Sequence, residues 1–183
     1  MRNNAYLLQR ARPIDNPFFG IIEVVAVAGA VFLAAQVRFF VPWTPIPYTL
    51  QTLPVLAAAY VVGRDRAALG IGLYLLAGVL FSIVSVDGIS IFAAFGATTG
   101  FLAAFALTPF VVSAITRPAL ALMAATILLY AMGLTWFCFW AGVGPAEAFA
   151  KTVAPFIIGD IAKGFVAYLI ARRAIRQPAP VEA

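Results

Sequence analysis

Long apolar stretches, separated by short breaks rich in proline, glycine or charge, recur along the whole chain. One of them, residues 119–141, contains no charged side chain. A helix that crosses a bilayer needs about 20 apolar residues. The chain is 64% hydrophobic and 10% charged, whereas ordinary soluble domains have about 25% charged residues. Too few polar groups are present to cover a water-exposed surface, and the pattern predicts an integral membrane protein.

Six stretches are candidate membrane spans, of which the second is short and contains Pro54. They cover residues 18–40, 49–63, 67–84, 91–115, 119–141 and 153–171. We therefore predict an all-α membrane domain of six transmembrane helices at residues 17–172. A cytoplasmic N-terminal segment, 1–16, would precede it, and a cytoplasmic tail, 173–183, would follow.

The basic residues predict the orientation of these spans. With an even number of spans, nine of the twelve basic residues fall on the side of the termini: Arg2, Arg10, Arg12, Arg64, Arg66, Arg117, Arg172, Arg173 and Arg176. The positive-inside rule makes that side cytoplasmic, so the net charge of +5 does not indicate nucleic-acid binding. In an alternative interpretation, the first span is a cleaved signal peptide ending near Ala34-Ala35-Gln36, which would place the termini on opposite faces.

An acid and a base, Asp160 and Lys163, lie inside the last apolar stretch. A charge at hydrocarbon depth costs roughly 2.5–3.5 kcal/mol, and such residues usually pair or line a cavity. Their i,i+3 spacing puts both on one helical face. Pro155 fits a first helical turn, which would place the pair in the second turn, toward the outer side. The pair fits a site for a urea-like ring or a carboxylate, an ion pair that locks two helices, or a snorkelling Lys163.

The first outward loop, residues 42–47, contains three prolines and Trp43. Proline fixes φ and stiffens a loop, so this loop is either a lid over an outward cavity or the site of an interfacial Trp43 anchor. Gln51, between Thr49 and Thr52, enters the second span and can bond a neighbouring helix or a ligand.

Small residues mark two further segments. Thr98 and Thr99 lie between two glycines at the predicted fourth span, which fits close helix packing or close approach to a ligand. Ala26, Ala30 and Ala34 form a small-residue face on the first span. Such a face lets another helix come near; its default partner is a helix of the same chain, and another protein is the alternative.

Four segments together have the order and spacing of a known family of membrane proteins. They are Pro45 to Leu53, Gly70 to Gly78, Gly96 to Phe101 and Pro155 to Lys163. In them the chain resembles the BioY family, the biotin-specific substrate-binding (S) components of energy-coupling factor (ECF) transporters. It departs from the family pattern in three places: Gly96 to Phe101 lacks the usual Pro and Tyr, the loop from Ser82 to Ser90 is atypical, and no Arg lies between Arg66 and Arg117.

The resemblance implies six helices with cytoplasmic termini in a bacterial inner or plasma membrane, and a biotin pocket near the outer face closed by the first loop. It implies that Asp160 and Lys163 contact the ligand, and that the alanine face docks on a transmembrane coupling subunit. The expected substrate-binding residues are Asp160, Lys163, Gln51, Trp43, Thr98, Thr99, Asp87 and Tyr74, and Phe101 and Trp136 are further apolar wall candidates. The chain has no Gly-x-x-x-x-Gly-Lys-Ser/Thr sequence, so ATP hydrolysis would require separate ATPase subunits.

Three alternatives stay open: an S component for a related vitamin or a biotin precursor, a small intramembrane enzyme that uses Asp160, and a structural membrane subunit. The enzyme is the weaker hypothesis because acid–base catalysis needs a positioned partner. The sequence has no His, its single Cys138 lies in an apolar run, and no cluster has metal-ligand spacing. We therefore expect no catalytic residue, no metal and no cofactor.

Overall fold

The structure, a computed structural model, describes residues 17–81 and 96–176. Helices form most of that part of the chain. They are α1 (Pro17–Gln36), α2 (Thr52–Val62), α3 (Arg64–Phe81), α4 (Thr99–Ala114), α5 (Pro118–Ala141), α6 (Pro145–Thr152) and α7 (Ile157–Arg176). A short antiparallel hairpin, β1 (Arg38–Phe39) with β2 (Tyr48–Thr49), precedes α2, and a 3₁₀ turn, Ala154–Phe156, precedes α7.

The predicted spans correspond to α1–α5 and α7. Three stretches among the described residues are long and apolar enough to cross a bilayer: Phe18–Gln36, Pro118–Ala141 and Pro145–Arg176. The predicted end of the third span and start of the fourth fall within residues 82–95, outside the described part. Helix α7 ends at Arg176, beyond the domain end predicted at residue 172.

Helix α2 lies at the centre of the larger apolar core. Most of its side chains are buried, including Val55, Leu56 and Tyr60. Its 11 residues give a length of roughly 16 Å at 1.5 Å per residue, about half of a 30 Å hydrocarbon layer. Pro54 is tolerated because it lies in the first turn, where its missing N–H has no helical partner. The neighbouring helices, rather than its own length, define its position in the bundle.

Two glycines allow helices to approach closely. A Cβ at Gly70 of α3 would contact Val27 and the Val24 carbonyl of α1, closer than side chains pack. A Cβ at Gly100 of α4 would collide with the Met132 carbonyl of α5. Gly100 therefore serves close helix packing, the first of the two interpretations that the sequence allowed for this segment.

The face that α1 turns toward the protein is not the alanine face. Val27, Val31 and Ala35 are buried, whereas Ala26 and Ala30 are exposed. Successive helical residues are rotated by about 100°, so a shift of one position moves a face from the core to the lipid side. The expectation of a partner within the chain is therefore wrong for Ala26 and Ala30.

The last helix begins later than predicted. Pro155 belongs to the 3₁₀ turn, and α7 starts at Ile157. Asp160 therefore lies in the first turn of α7, and only Lys163 lies in the second. The sequence analysis also missed the short helix α6, which begins at Pro145 and carries an exposed ion pair between Glu147 and Lys151.

Several arginines gather at one end of the bundle, which we call the arginine end. Arg66 of α3 forms an ion pair with Glu23 near the start of α1. Arg64 lies 5.8 Å from the ring centre of Phe110, near the end of α4, and Arg117 follows that helix. Helix α7 starts near Thr49 and the beginning of α2, so its C-terminal arginines also lie at this end. The opposite end holds the hairpin.

Candidate functional site

Asp160 is the centre of a polar cluster at the hairpin end. Its Oδ1 lies 2.5 Å from Lys163 Nζ and accepts a longer bond of 3.4 Å from the Thr52 hydroxyl. Its Oδ2 accepts a 2.6 Å hydrogen bond from the Tyr130 hydroxyl of α5. The side chains of Asp160 and Lys163 are 11% and 13% exposed. The carboxylate is therefore largely removed from solvent and held by groups from α2, α5 and α7.

Lys163 connects this cluster to the hairpin. Its ammonium donates to the backbone carbonyl of Thr49, 3.1 Å away, as well as pairing with Asp160. The i,i+3 pair predicted from the sequence is present. Through Lys163, it connects α7 to the hairpin. An ammonium has three donors, of which two are used among the described residues.

Gln51 and Tyr74 also meet in this cluster. The Gln51 amide donates to the Tyr74 hydroxyl, and its Oε1 accepts a 3.0 Å bond from the Thr49 hydroxyl. Tyr74 is buried on α3. A polar chain therefore runs from the hairpin to α3 beside the ion pair.

Aromatic rings hold the hairpin against the start of α7. Tyr48 stacks on Phe39 at a centroid distance of 4.7 Å and on Phe156 at 4.4 Å. The Tyr48 hydroxyl donates a 2.6 Å bond to the Pro155 carbonyl. The backbone N–H of Leu50 bonds the Ala34 carbonyl of α1 at 3.2 Å. The strand next to the ion pair is thus fixed on two sides.

The loop between the strands is anchored by residues other than Trp43. Ile46 and Thr44 are buried, and the Thr44 hydroxyl accepts a 3.1 Å bond from the Ile46 N–H. Trp43 is 63% exposed. The structure therefore does not bring Trp43 into the polar cluster, and its exposure fits the interfacial anchor.

A second, smaller apolar cluster lies beside the polar one. Its buried members are Ile46, Phe137, Ala148 and Phe156. Phe101 and Tyr130 pack against it, and the Phe101 ring lies against Gly133. This cluster connects the ion pair, through Tyr130, to an apolar surface made by the loop, α4 and α5.

Two further predicted site residues, Thr98 and Thr99, lie at the start of α4. Thr98 precedes α4, and the Thr99 hydroxyl bonds the Gly96 carbonyl at 2.9 Å. The Trp136 indole N–H donates to the same carbonyl at 2.8 Å. These contacts fix the α4–α5 junction. Asp87 lies outside the described residues.

Sequence reasoning missed the contributions of Tyr130 and Tyr48. A tyrosine hydroxyl buried in an apolar helix usually has a hydrogen-bond partner. Tyr130, inside a span without charged residues, therefore indicated a polar contact between helices. It did not identify Asp160 as the partner, because that depends on how α5 packs against α7. Tyr48 lies in a segment whose prolines, threonines and glutamine form the more prominent pattern. Nothing in that pattern predicted that its ring would hold the hairpin.

The fold and cluster define a class: a helical membrane protein with a charged pair held between its helices. A solved structure described as the S-component for biotin from an ECF-type ABC transporter has the same fold. Its TM-score is 0.80 and its identity is 15%, and the match covers 91% of this chain and 96% of that one. The all-α, S-component-like fold predicted from the sequence is thereby confirmed.

Residues 10–179 match the model of the BioY family, and the chain belongs to that family. A biotin transporter BioY of Rhodobacter capsulatus is 37% identical over 166 residues, which cover 73% of this chain and 83% of the relative. One of Rhizobium etli is 31% identical over 147 residues, covering 70% and 77%. The predicted family is confirmed, as is the prediction of a multi-pass membrane transport protein rather than an enzyme.

Proposed function

We propose that this chain is the biotin-binding S component of an ECF transporter, which captures biotin at the hairpin end and delivers it inward. The relatives described as biotin transporters support this proposal. The observation that carries it is the buried pair of Asp160 and Lys163, held 2.5 Å apart beside the hairpin. Asp160, Lys163, Gln51 and Tyr74 form the polar side of the proposed site.

The unused hydrogen-bonding capacity of this pair matches a cyclic urea. Among the described residues, Lys163 donates to Asp160 and to the Thr49 carbonyl, which leaves one of its three protons. Asp160 Oδ2 accepts only from Tyr130 among them, and a carboxylate oxygen has two lone-pair positions. A urea carbonyl accepts from the ammonium while a ring N–H donates to the carboxylate. An ion pair that only locked helices together would not need these open positions.

The proposed function also implies an orientation in the membrane and partner subunits. The arginine end faces the cytoplasm by the positive-inside rule, so the hairpin end opens outward from a bacterial plasma membrane. Energy comes from ATPase subunits through a transmembrane coupling subunit. The exposed Ala26 and Ala30, with Ala34 of the same helix, let that subunit approach α1 closely.

The test is biotin binding by the protein purified in detergent, measured by calorimetry for the wild type, Asp160→Ala and Lys163→Ala. Each substitution removes one member of a buried charged pair and leaves the other unpaired, which costs at least about 2 kcal/mol. That is roughly a 30-fold rise in Kd. Dethiobiotin, a related cyclic urea, tests the alternative substrate in parallel.

Glu147→Ala and Lys151→Ala are the matched controls, since they break an ion pair of similar length that is exposed on α6. They are expected to bind biotin as the wild type does. Wild-type affinity in both buried-pair variants would contradict the assignment of the site. A wild-type protein that binds neither compound would contradict the proposed function.

A further inference from the structure

The charged pair has no net charge to offer an anionic ligand. The negative charge of Asp160 is balanced by the positive charge of Lys163, 2.5 Å away. A ligand that carries a carboxylate in addition to a urea would then leave one negative charge without a partner. Burying an unpaired carboxylate is costly, so such a ligand requires a second cation near the cluster.

The hairpin places Arg38 beside that cluster. Arg38 pairs with Thr49 across the two strands, and Phe39 pairs with Tyr48. Directly opposed residues share one face of a two-stranded ribbon, and successive residues alternate between faces. Because Phe39 and Tyr48 form one face, stacked toward Phe156, Arg38 and Thr49 form the other.

The hydrogen bond of Thr49 shows that this other face is directed toward the polar cluster. The Thr49 hydroxyl donates to Gln51, whose amide bonds Tyr74. The side chain of Arg38 is exposed. Within residues 17–81 and 96–176 its guanidinium has no ion pair, in contrast to Arg64, Arg66, Lys151 and Lys163. Arg38 is thus an uncommitted cation at the edge of the site.

We propose that Arg38 binds the carboxylate of the ligand and so determines specificity for a cyclic urea that carries an acidic tail. This inference rests on the proposed function and adds to it the residue that recognises the acidic tail of the substrate. A guanidinium binds a carboxylate through two parallel hydrogen bonds. The ring lies at Asp160 and Lys163, and the carboxylate meets Arg38 on the face of the hairpin that Arg38 shares with Thr49.

The experiment compares biotin with biotinamide, in which a neutral amide replaces the carboxylate. Calorimetry with the purified full chain gives Kd for both compounds in the wild type, Arg38→Gln and Arg38→Lys. We expect Arg38→Gln to weaken biotin binding at least about tenfold, as expected for loss of a charge-assisted bond, and biotinamide binding less than about threefold. Arg38→Lys, which keeps the charge without the fork, is expected to lie between the two.

Lys151→Gln is the control, because it removes an exposed positive charge from another element of the hairpin end. Both compounds are expected to bind it as they bind the wild type. An equal loss of both compounds in Arg38→Gln would mean that Arg38 only supports the hairpin, and no loss of either would mean that it does not meet the ligand. Either result overturns the inference while leaving the proposed function intact. A wild type that binds neither compound overturns the function itself.

Discussion

The hydroxyl of Tyr48 donates a 2.6 Å hydrogen bond to the carbonyl oxygen of Pro155, residues more than a hundred positions apart in the chain. This bond and the ring stack on Phe156 fix the hairpin to the turn that begins α7. Lys163, two turns further on, donates to the neighbouring Thr49 carbonyl. The hairpin and the ion pair are therefore one mechanical unit, and changes in one are expected to affect the other.

Tyr48→Phe should lower the free energy of unfolding by about 1 kcal/mol, the usual net contribution of one hydrogen bond. Tyr48→Ala should cost more, since each lost aromatic pair adds about 0.5–1.5 kcal/mol. Thermal unfolding in detergent measures both, and limited proteolysis reports whether the loop 40–47 is cut faster. Tyr168→Phe, in the C-terminal half of α7, is the control. Equal proteolysis of the wild type and Tyr48→Ala would contradict the role given to this ring.

Tyr130→Phe should weaken biotin binding about tenfold and also lower the free energy of unfolding, because a charge-assisted hydrogen bond to a largely buried carboxylate is lost. The substitution removes the 2.6 Å bond to Asp160 Oδ2 and keeps the ring. A hydrogen bond to a charged group contributes about 1.5–3 kcal/mol, and part of that contribution orients the carboxylate toward the ligand. Calorimetry with biotin measures the effect.

Two further variants rank the partners of Asp160. Thr52→Val should have a smaller effect than Tyr130→Phe, because the Thr52 bond is 3.4 Å long, beyond the usual range for two oxygens. Thr126→Val is the matched control on α5, where the hydroxyl bonds the Leu122 carbonyl of its own helix. If Thr126→Val weakened biotin binding as much as Tyr130→Phe, the effect would belong to α5 as a whole.

Gly100→Ala should destabilise the protein by about 1–3 kcal/mol, the usual cost of overpacking. The added methyl group would meet the Met132 carbonyl and the Trp136 Cβ of α5, and neither is the end of a flexible side chain. Gly72→Ala is the control, because a Cβ there meets nothing within 4 Å and alanine favours a helix. Thermal unfolding compares the two. A Gly100→Ala protein as stable as Gly72→Ala would contradict the close contact of α4 with α5.

The sequence predicted the spans and the charged pair because both follow from the cost of placing charge in hydrocarbon. Asp160 and Lys163 stand out in an apolar stretch, and their spacing alone places them on one face. Their partners could not be predicted in the same way. Tyr130 reaches Asp160 only because α5 and α7 pack in one register, which depends on side-chain shapes from both helices rather than on any local pattern.

The beginning of α7 and the helix α6 illustrate a different limit. Proline fits both a 3₁₀ turn and a first α-helical turn. Pro155 alone therefore could not show whether the helix begins at Pro155 or at Ile157. Helix α6 had its own signals, with Pro145 at its beginning, Glu147 in its first turn and Lys151 in its last. Its eight residues are too few to cross a bilayer. A prediction based on long apolar stretches therefore does not detect this helix.

Ala26→Leu and Ala30→Leu should together abolish biotin uptake while leaving biotin binding unchanged. Both alanines are exposed, and a Cβ on the adjacent Gly29 would meet no atom of a neighbouring element within 4 Å. Larger side chains at these positions fit the lipid but keep a partner helix from approaching. Uptake is measured in cells that also express the coupling and ATPase subunits that the proposed function requires, and calorimetry measures binding by the purified chain.

Ala131→Leu is the matched control, since Ala131 is an exposed alanine on α5 and the same bulk is added away from α1. It should take up and bind biotin as the wild type does, and it should co-purify with the coupling subunit. The double variant should lose that co-purification. Because a defect in folding would lower binding and uptake together, normal binding with lost uptake assigns the defect to assembly. Normal uptake by the double variant would place the docking surface on another part of the chain.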